Sequence, residues 1–288
     1  MRIAFATSEN IARGREDDAE TLTQLGARWE VWNDPTVDWA SFDRVIIRSV
    51  WDYTLALEAF LAWCEHVGPE RLRNRPELVV FNADKRYLQS LDVPTVPTRV
   101  VSPGAAAPIL SGEVVVKPNV SAGGRDTGRF GPEDHEDARR LIAAIQASGR
   151  CALIQPYLPG VDAEGETAVV FIAGRLSHVL HKGAVLRQPG VAPLAVGPAA
   201  PAAVMLEDDL VSAGRATAAQ RALAHAVMAE VTARFGTPLY ARVDMVPGPE
   251  GAPVLIELEA IEPCLYLRTD AGASRRFAVA IAAESTGR

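Results

Sequence analysis

The sequence predicts an α/β chain assembled from α+β lobes, and three observations lead there. Its 288 residues are about twice a typical domain of about 150, so two or three lobes are expected. Strand-like and helix-like patterns alternate over the first 80 residues. Near the end stand two strand-like runs, Tyr240–Val246 and Val254–Ala260, separated by the turn PGPEGAP. Hydrophobic residues make up 48% and charged residues 23%, which leaves apolar material for a core.

Arg2–Ala6 (RIAFA) reads as a buried first strand, and the polar stretch after it can open a helix. Arg28–Trp32 (RWEVW) alternates with the period of a strand. Arg44–Arg48 is a short apolar run that leads into SVWDY, and residues 55–67 place Leu57, Phe60, Leu61 and Cys64 on one helical side. This alternation marks a small α/β lobe over residues 1–80. Residues 82–91 read as a short helix carrying Lys85, ended by VPTVPT, and Val100-Val101 follows. Val114–Val116 is a strand, residues 133–148 form a helix with Ala138, Leu141, Ile142 and Ile145 on one face, and Ala152–Ile154 is a buried strand. Thr167–Ile172 and Leu176–Leu180 are strands joined at Gly174. Residues 183–204, rich in Pro, Ala and Gly, read either as a surface loop or as a mobile substrate flap, and 213–235 as a helix.

A formal net charge of −7 argues against a general nucleic-acid or anionic-membrane binder. Cys64, Cys151 and Cys264 are odd in number and far apart, which fits neither a disulfide framework nor a zinc site and suits a reducing compartment. MRIAFATSEN lacks the apolar core of a signal peptide. No window reaches the ~20 apolar residues of a membrane span. The expectation is a soluble, cytoplasmic protein with a small-molecule substrate.

Three constellations carry chemistry. In VVVKPNVSAGGRDTGRF (114–130), a strand ends at Lys117 and opens into a loop of small residues, Ser121, Ala122, Gly123 and Gly124. Gly123 to Gly128 has the span of a Walker A loop, but Arg129-Phe130 replace its Lys-Ser/Thr, and the dinucleotide spacing is absent. What remains is a lysine beside backbone N–H groups that a phosphate can approach closely; a solvated turn accounts for the same pattern. In ARVDM (241–245) and LIELEA (255–260), residues two apart share a strand face. Pairing symmetric about the turn sets Asp244 opposite Glu257 and Arg242 opposite Glu259, with Val243, Met245, Ile256 and Leu258 facing a core. With only Arg242 to neutralise three acids, the patch suits a hard cation such as Mg²⁺; an exposed hairpin salt-bridged through Arg242 is the other reading. Gln155-Pro156-Tyr157-Leu158 ends a strand at a proline, which stops ladder pairing and exposes backbone that an adenine edge can meet.

The order of these elements resembles the ATP-grasp superfamily, in which two lobes clasp ATP, over residues 80–265. The resemblance implies a lobe 1–80 preceding the grasp, a central lobe 81–155 with the Gly-rich loop, and a C-terminal lobe 156–288 with metal-binding strands. It implies that Lys85, Lys117 and the Ser121–Gly124 loop hold the phosphates, and that Gln155, Tyr157 and Leu158 border the adenine. Glu166 holds the ribose, with Asp162 as the alternative. Asp244, Glu257 and Glu259 bind two Mg²⁺, Lys182 contacts phosphate or substrate, and Arg242 stabilises a tetrahedral intermediate. A Glu at 259 departs from the Asn many relatives have there.

Within the superfamily, RSVWDY (48–53), FNADKRYL (81–88), KPNVSAGGRDT (117–127) and ELEAIEP (257–263) are similar to one sub-group that includes the D-cycloserine synthetases. These use ATP to close O-ureido-D-serine into an isoxazolidinone ring. Arg48 and Asp52, beside Trp51, are candidates for the carboxylate and ammonium of a free amino acid, with Arg187 and Lys182 as rival carboxylate partners. An Arg–Asp surface pair beside a core Trp is the other reading of 48–52. An intermolecular carboxylate–amine ligase and a nucleotide-binding module without turnover are the alternatives. Homodimers are common among such relatives, and no interface is legible here.

Overall fold

A computed structural model describes residues 1–190, 207 and 209–283, which form three sheets. The first has the order β2-β1-β3-β4 from β1 (Ile3–Thr7), β2 (Arg28–Val31), β3 (Arg44–Ser49) and β4 (Leu72–Arg73), all parallel. Every residue of β1 and β3 is buried, as expected of parallel strands covered on both faces. Helix α1 (Ala19–Leu25) supplies the helix expected after β1. Helix α2 (Leu57–Val67) buries Phe60, Trp63, Cys64 and Val67, while Leu57 and Leu61 pack at the margin. Trp63 joins Trp32, Trp39 and Phe60 in an aromatic cluster with ring separations of 5.1–6.0 Å.

The second sheet, in the order β5-β8-β6-β7, is antiparallel: β5 (Arg99–Val101), β6 (Val114–Pro118), β7 (Gly128–Phe130) and β8 (Ala152–Pro156). Helix α4 (His135–Ala147) covers one face with Ala138, Ile142 and Ile145. Because side chains alternate along a strand, Val114 and Val116 enter that core, and Val115 and Lys117 face the other way.

The third sheet runs β11-β10-β9-β12-β13, all antiparallel. Its strands are β9 (Glu166–Ile172), β10 (Arg175–Lys182), β11 (Val211–Ala213), β12 (Tyr240–Pro247) and β13 (Pro253–Glu259). On one face lies α6 (Ala218–Phe235), packed through Leu223, Ala224, Val227, Met228 and Val231. On the other, α7 (Ala273–Ala282) brings Phe277 and Ile281 against Tyr240 and Val170, in one core with Phe5 and Ile46 of the first sheet. The first lobe is therefore seated on the third sheet through a shared apolar core.

Several expectations are corrected. The helix expected over 82–91 is α3 (Pro76–Ala83) followed by a 3-10 turn at Lys85–Ser90. Pro76 suits a first helical position, and the Asp84 side chain accepts from Arg86 N–H to start the new turn. Residues 76–91 pack on the third sheet rather than on the central one, with Leu78, Tyr87 and Leu88 in the same core as Val243 and Met245. Helix α6 begins at Ala218, not 213, because Thr217 and Gln220 form a reciprocal capping box; Val211–Ala213 pair instead with β10. Helix α7 was not anticipated. Of the segment 183–204, residues 191–204 lie outside the described residues.

Candidate active site

The second and third sheets face each other across a cleft whose far end is closed by the first lobe. Sixteen positions singled out in the sequence line it: Trp51, Lys85, Lys117, Ser121, Ala122, Gly123, Gly124, Gln155, Tyr157, Leu158, Glu166, Lys182, Arg242, Asp244, Glu257 and Glu259. Residues from widely separated stretches of chain, from Trp51 to Glu259, thus meet in one place.

The acidic hairpin has the expected register, Asp244 opposite Glu257 and Arg242 opposite Glu259. A bulge between Asp244 and Met245 then shifts the parity, so that Leu255 pairs with Met245 and takes the core position. Ile256, expected in the core, turns into the cleft beside Val246. Strand β13 lies at the sheet edge, and side chains satisfy its outer backbone. Asn82 Nδ2 donates to Leu258 O at 2.8 Å, Ala260 N–H donates to Asn82 Oδ1 at 2.7 Å, and Tyr87 Oη donates to Leu258 O at 2.9 Å. Lys85, held between Asn82 and Tyr87, reaches Glu257 Oε1 at 3.1 Å, and its N–H donates to Asn119 O of the central lobe at 2.8 Å.

The acids are more fully neutralised than the sequence implied. Lys182 Nζ lies 2.8 Å from both Glu166 Oε2 and Asp244 Oδ2, and Arg242 Nε and Nη2 each donate to Asp244 at 2.8 Å. Arg242 Nη2 also bonds Glu259. Burial alone would raise Asp244, but Arg242 and Lys182 outweigh it and hold its carboxyl well below the ordinary range. For Glu259, burial and the charges of Asp244 and Glu257 prevail over Arg242 and push it up to about 7. Burial and Glu259 push Glu262 up to about 8. Among the described residues no three acids converge as a ready-made metal site, because Lys85, Lys182 and Arg242 stand between them. The donor set still fits Mg²⁺: Asp244, Glu257 and Glu259 offer hard carboxylate oxygens on one face, and the upward push of Asp244 and Glu257 on the Glu259 carboxyl marks negative charge that a cation would relieve.

Lys117 differs from the other cations. It is 7% exposed, faces the cleft, and has no ion-pair or hydrogen-bond partner among the described residues. A buried charge without a partner is costly, and an anionic ligand in the cleft supplies one. Beside it, the Ser121–Gly124 loop turns through left-handed backbone at Gly123 (φ 63°) and Gly124 (φ 72°), where a side chain would be strained. Ser121 O accepts from Lys85 Nζ, and Arg125, just past the loop, donates to Trp51 O at 3.0 Å. The loop is therefore tied both to the third sheet's edge segment and to the first lobe.

At the opposite end, Tyr157 and Leu158 share an apolar wall with Val96, Val115, Val246 and Ile256. The Gln155 side chain is spent on Thr98 Oγ1 at 2.8 Å, which leaves it backbone contacts. Arg129 stacks its guanidinium 3.4 Å from the Tyr157 ring centroid and pairs with Asp162 at 2.9 Å. Asp162 also accepts from Tyr157 Oη at 2.6 Å, so it braces the 155–158 crossover while Glu166 faces the cleft.

Three expected substrate residues are elsewhere. Arg48 is buried, pairs with Asp18 at 2.9 Å, donates to Pro263 O at 3.1 Å and lies over the rings of Tyr240 and Phe277. It pins the first lobe to the third sheet. Asp52 accepts from Ser8 Oγ at 2.6 Å and Trp32 Nε1 at 2.9 Å, so it neither pairs with Arg48 nor opens to the cleft. Arg187 is exposed, pairs with Glu207 and borders a separate surface depression with Asp162 and Asp209. Arg48→Ala is expected to lower stability by about 3–5 kcal/mol, because it strands buried Asp18. A thermal midpoint equal to wild type would contradict that role.

Sequence reasoning missed Arg15, Tyr53, Glu262, Cys264 and Tyr266, which complete the first-lobe end of the cleft. Tyr53 lies inside the RSVWDY motif and Glu262 inside ELEAIEP, but the other three carry no local signal.

Residues 3–74 match the family model described as the N-terminal domain of D-cycloserine synthetase DcsG. The cycloserine biosynthesis protein DcsG of Streptomyces lavendulae is 37% identical over 282 residues, 91% of each chain. The crystal structure of D-cycloserine synthetase DcsG is 34% identical and superposes with a TM-score of 0.82 over 98% of this chain and 99% of that one. A RimK domain ATP-grasp protein from Sphaerobacter thermophilus, 16% identical, shares the fold with a TM-score of 0.63 over 98% and 100%. None of the helices described is long and apolar enough to cross a membrane. The chain has the ATP-grasp fold and belongs to the D-cycloserine synthetase DcsG family.

Proposed function

We propose that this protein is an ATP- and Mg²⁺-dependent ligase that cyclises O-ureido-D-serine to D-cycloserine. The observation that carries the ATP-binding part is the buried Lys117, without an ion pair among the described residues, beside the Gly123-Gly124 turn and facing a cleft of acids and cations. The substrate reading draws on the likeness to D-cycloserine synthetase over nearly the whole chain.

The chain's residues divide the work by position. The adenine lies against Val115, Tyr157, Leu158 and Ile256, meeting the backbone of 155–158, and Glu166 takes the ribose. Lys85, Lys117 and the Ser121–Gly124 loop draw the phosphates toward the acids of β12 and β13. Asp244, Glu257 and Glu259 would hold one or two Mg²⁺, which neutralise phosphate charge and align the γ-phosphoryl group when bound. The substrate carboxylate takes that phosphoryl group. The ureido nitrogen bonded to the side-chain oxygen then attacks the carboxyl carbon, forming the ring C–N bond as phosphate leaves. Water cleaves the carbamoyl group from that nitrogen, and it departs as carbamate, which breaks down to CO₂ and ammonia. Arg242, fixed by Asp244 and Glu259, stabilises the charge that develops on the carbonyl oxygen. Lys182, shared by Glu166 and Asp244, is placed to contact the transferring group. No nucleophilic side chain is required. The same arrangement accommodates an intermolecular carboxylate–amine ligase, and the partner is a small amino-acid-like molecule in either case.

The test is ADP release with ATP, Mg²⁺ and O-ureido-D-serine, with the organic product followed by mass. ADP together with a cyclised product is the expected result. ADP with some other amino acid and amine only would replace the cyclisation with intermolecular ligation.

A further inference from the structure

Besides Lys117, two charged side chains line the cleft without an ion pair among the described residues, Arg15 and Glu262. Both belong to its first-lobe end. Arg15 stands in the loop after β1, lies 5.3 Å over the Trp51 ring and lines the cleft, its guanidinium in no hydrogen bond or ion pair among the described residues. Glu262 follows β13, three residues beyond Glu259, and faces the same space as Tyr53. Arg48 and Asp52, the charges expected for substrate, are both committed to interior partners. This end of the cleft therefore presents one uncommitted acid, one uncommitted guanidinium and an aromatic face.

We propose that Glu262 binds the α-ammonium of the substrate and that Arg15, braced on Trp51, binds the carbonyl oxygen of its carbamoyl tail. The inference rests on the cyclising-ligase reading and assigns the substrate subsite within it. The carboxylate to be activated belongs beside Arg242, and the ammonium is one carbon away from it, so an acid close to Glu259 is in the appropriate place. The tail is the far end of the same small molecule. An anchor there folds the substrate back on itself and raises the effective concentration of nitrogen at the carboxyl carbon. A purely intermolecular ligase has no need of that second anchor.

The test compares wild type, Glu262→Gln and Arg15→Ala with O-ureido-D-serine and with its analogue bearing hydroxyl in place of the α-amino group. Glu262→Gln is expected to raise KM for the natural substrate by about 10–100-fold, the worth of one charge-assisted hydrogen bond. It should leave the ATP Kd within about twofold and lose its disadvantage on the hydroxy analogue. Arg15→Ala is expected to lower kcat/KM by about tenfold or more on both compounds, since both keep the tail. Arg15→Lys keeps the charge without the planar fork and should fall between. An unchanged KM, an equal penalty for Glu262→Gln on both compounds, or a matching loss of ATP affinity would each overturn the clamp. If wild type forms ADP only with another amino acid, the cyclisation reading fails, and the Glu262→Gln comparison on that compound still decides the ammonium site. No ADP with any amino acid, despite ATP binding, overturns both.

Discussion

Glu257→Gln is expected to lower kcat for ADP formation by about 10³-fold or more, the scale of several kcal/mol at 1.36 kcal/mol per tenfold. The substitution keeps side-chain volume and removes one carboxylate charge from the cation-binding face. Its effect on ATP binding should be different. Glu257 is the carboxylate that Lys85 pairs with at 3.1 Å, and it is the strongest acid influence on Lys117. Without it, two buried lysines face the phosphates with less competition, so the metal-free affinity for ATP should hold or rise. Fold should survive, because the Glu257 carboxylate faces the cleft while Leu255 and Leu258 on the same strand fill the core. Steady-state ADP release at several Mg²⁺ concentrations, together with ATP titration in chelator, separates the two effects. Unchanged turnover would remove Glu257 from the metal-binding set.

Lys117→Met is expected to weaken ATP binding by about 10–100-fold, from the loss of one charge-assisted phosphate contact of ~1.5–3 kcal/mol. It should also raise the thermal midpoint of the protein without nucleotide. Burial pulls the Lys117 ammonium below its usual pKa, and Glu257 does not fully offset this, with Lys85 adding to the effect. A methionine of similar volume carries no such cost. Opposite signs in binding and stability distinguish a ligand-binding lysine from a structural one, which would lose both. An ATP Kd equal to wild type would reduce the stretch after β6 to an ordinary turn.

The hairpin of β12 and β13 was legible because a period-2 pattern on each side of a short turn fixes which residues face each other, and the observed register agrees. Its bulge was not legible, since Leu255 and Ile256 are equally apolar and only the pairing tells which enters the core. The Gly-rich loop was read correctly as a loop, but Gly128–Phe130 joins the sheet as β7, where Arg129 serves Tyr157 and Asp162. Arg48 shows the main limit. A guanidinium at the end of a strand looks the same in sequence whether it meets a substrate or an interior carboxylate. Asp18, 30 residues away, and Pro263, 215 residues away, decided its partners.

From the sequence alone came the longer strands, the amphipathic faces of α2 and α4, the phosphate-type loop and the acidic patch, because each is written in local composition or in spacing of 2 or ~3.6 residues. The short β4, β7 and β11 were not legible. The tertiary structure decided how the charges are shared. Lys182, Glu166, Asp244 and Arg242 come from three strands and become one network only when the strands pair. It also decided which charges stay free. Ion pairing acts over a few ångströms and is indifferent to distance along the chain, so it is only when the other acids and bases take their places that Lys117, Arg15 and Glu262 stand without an ion pair among the described residues.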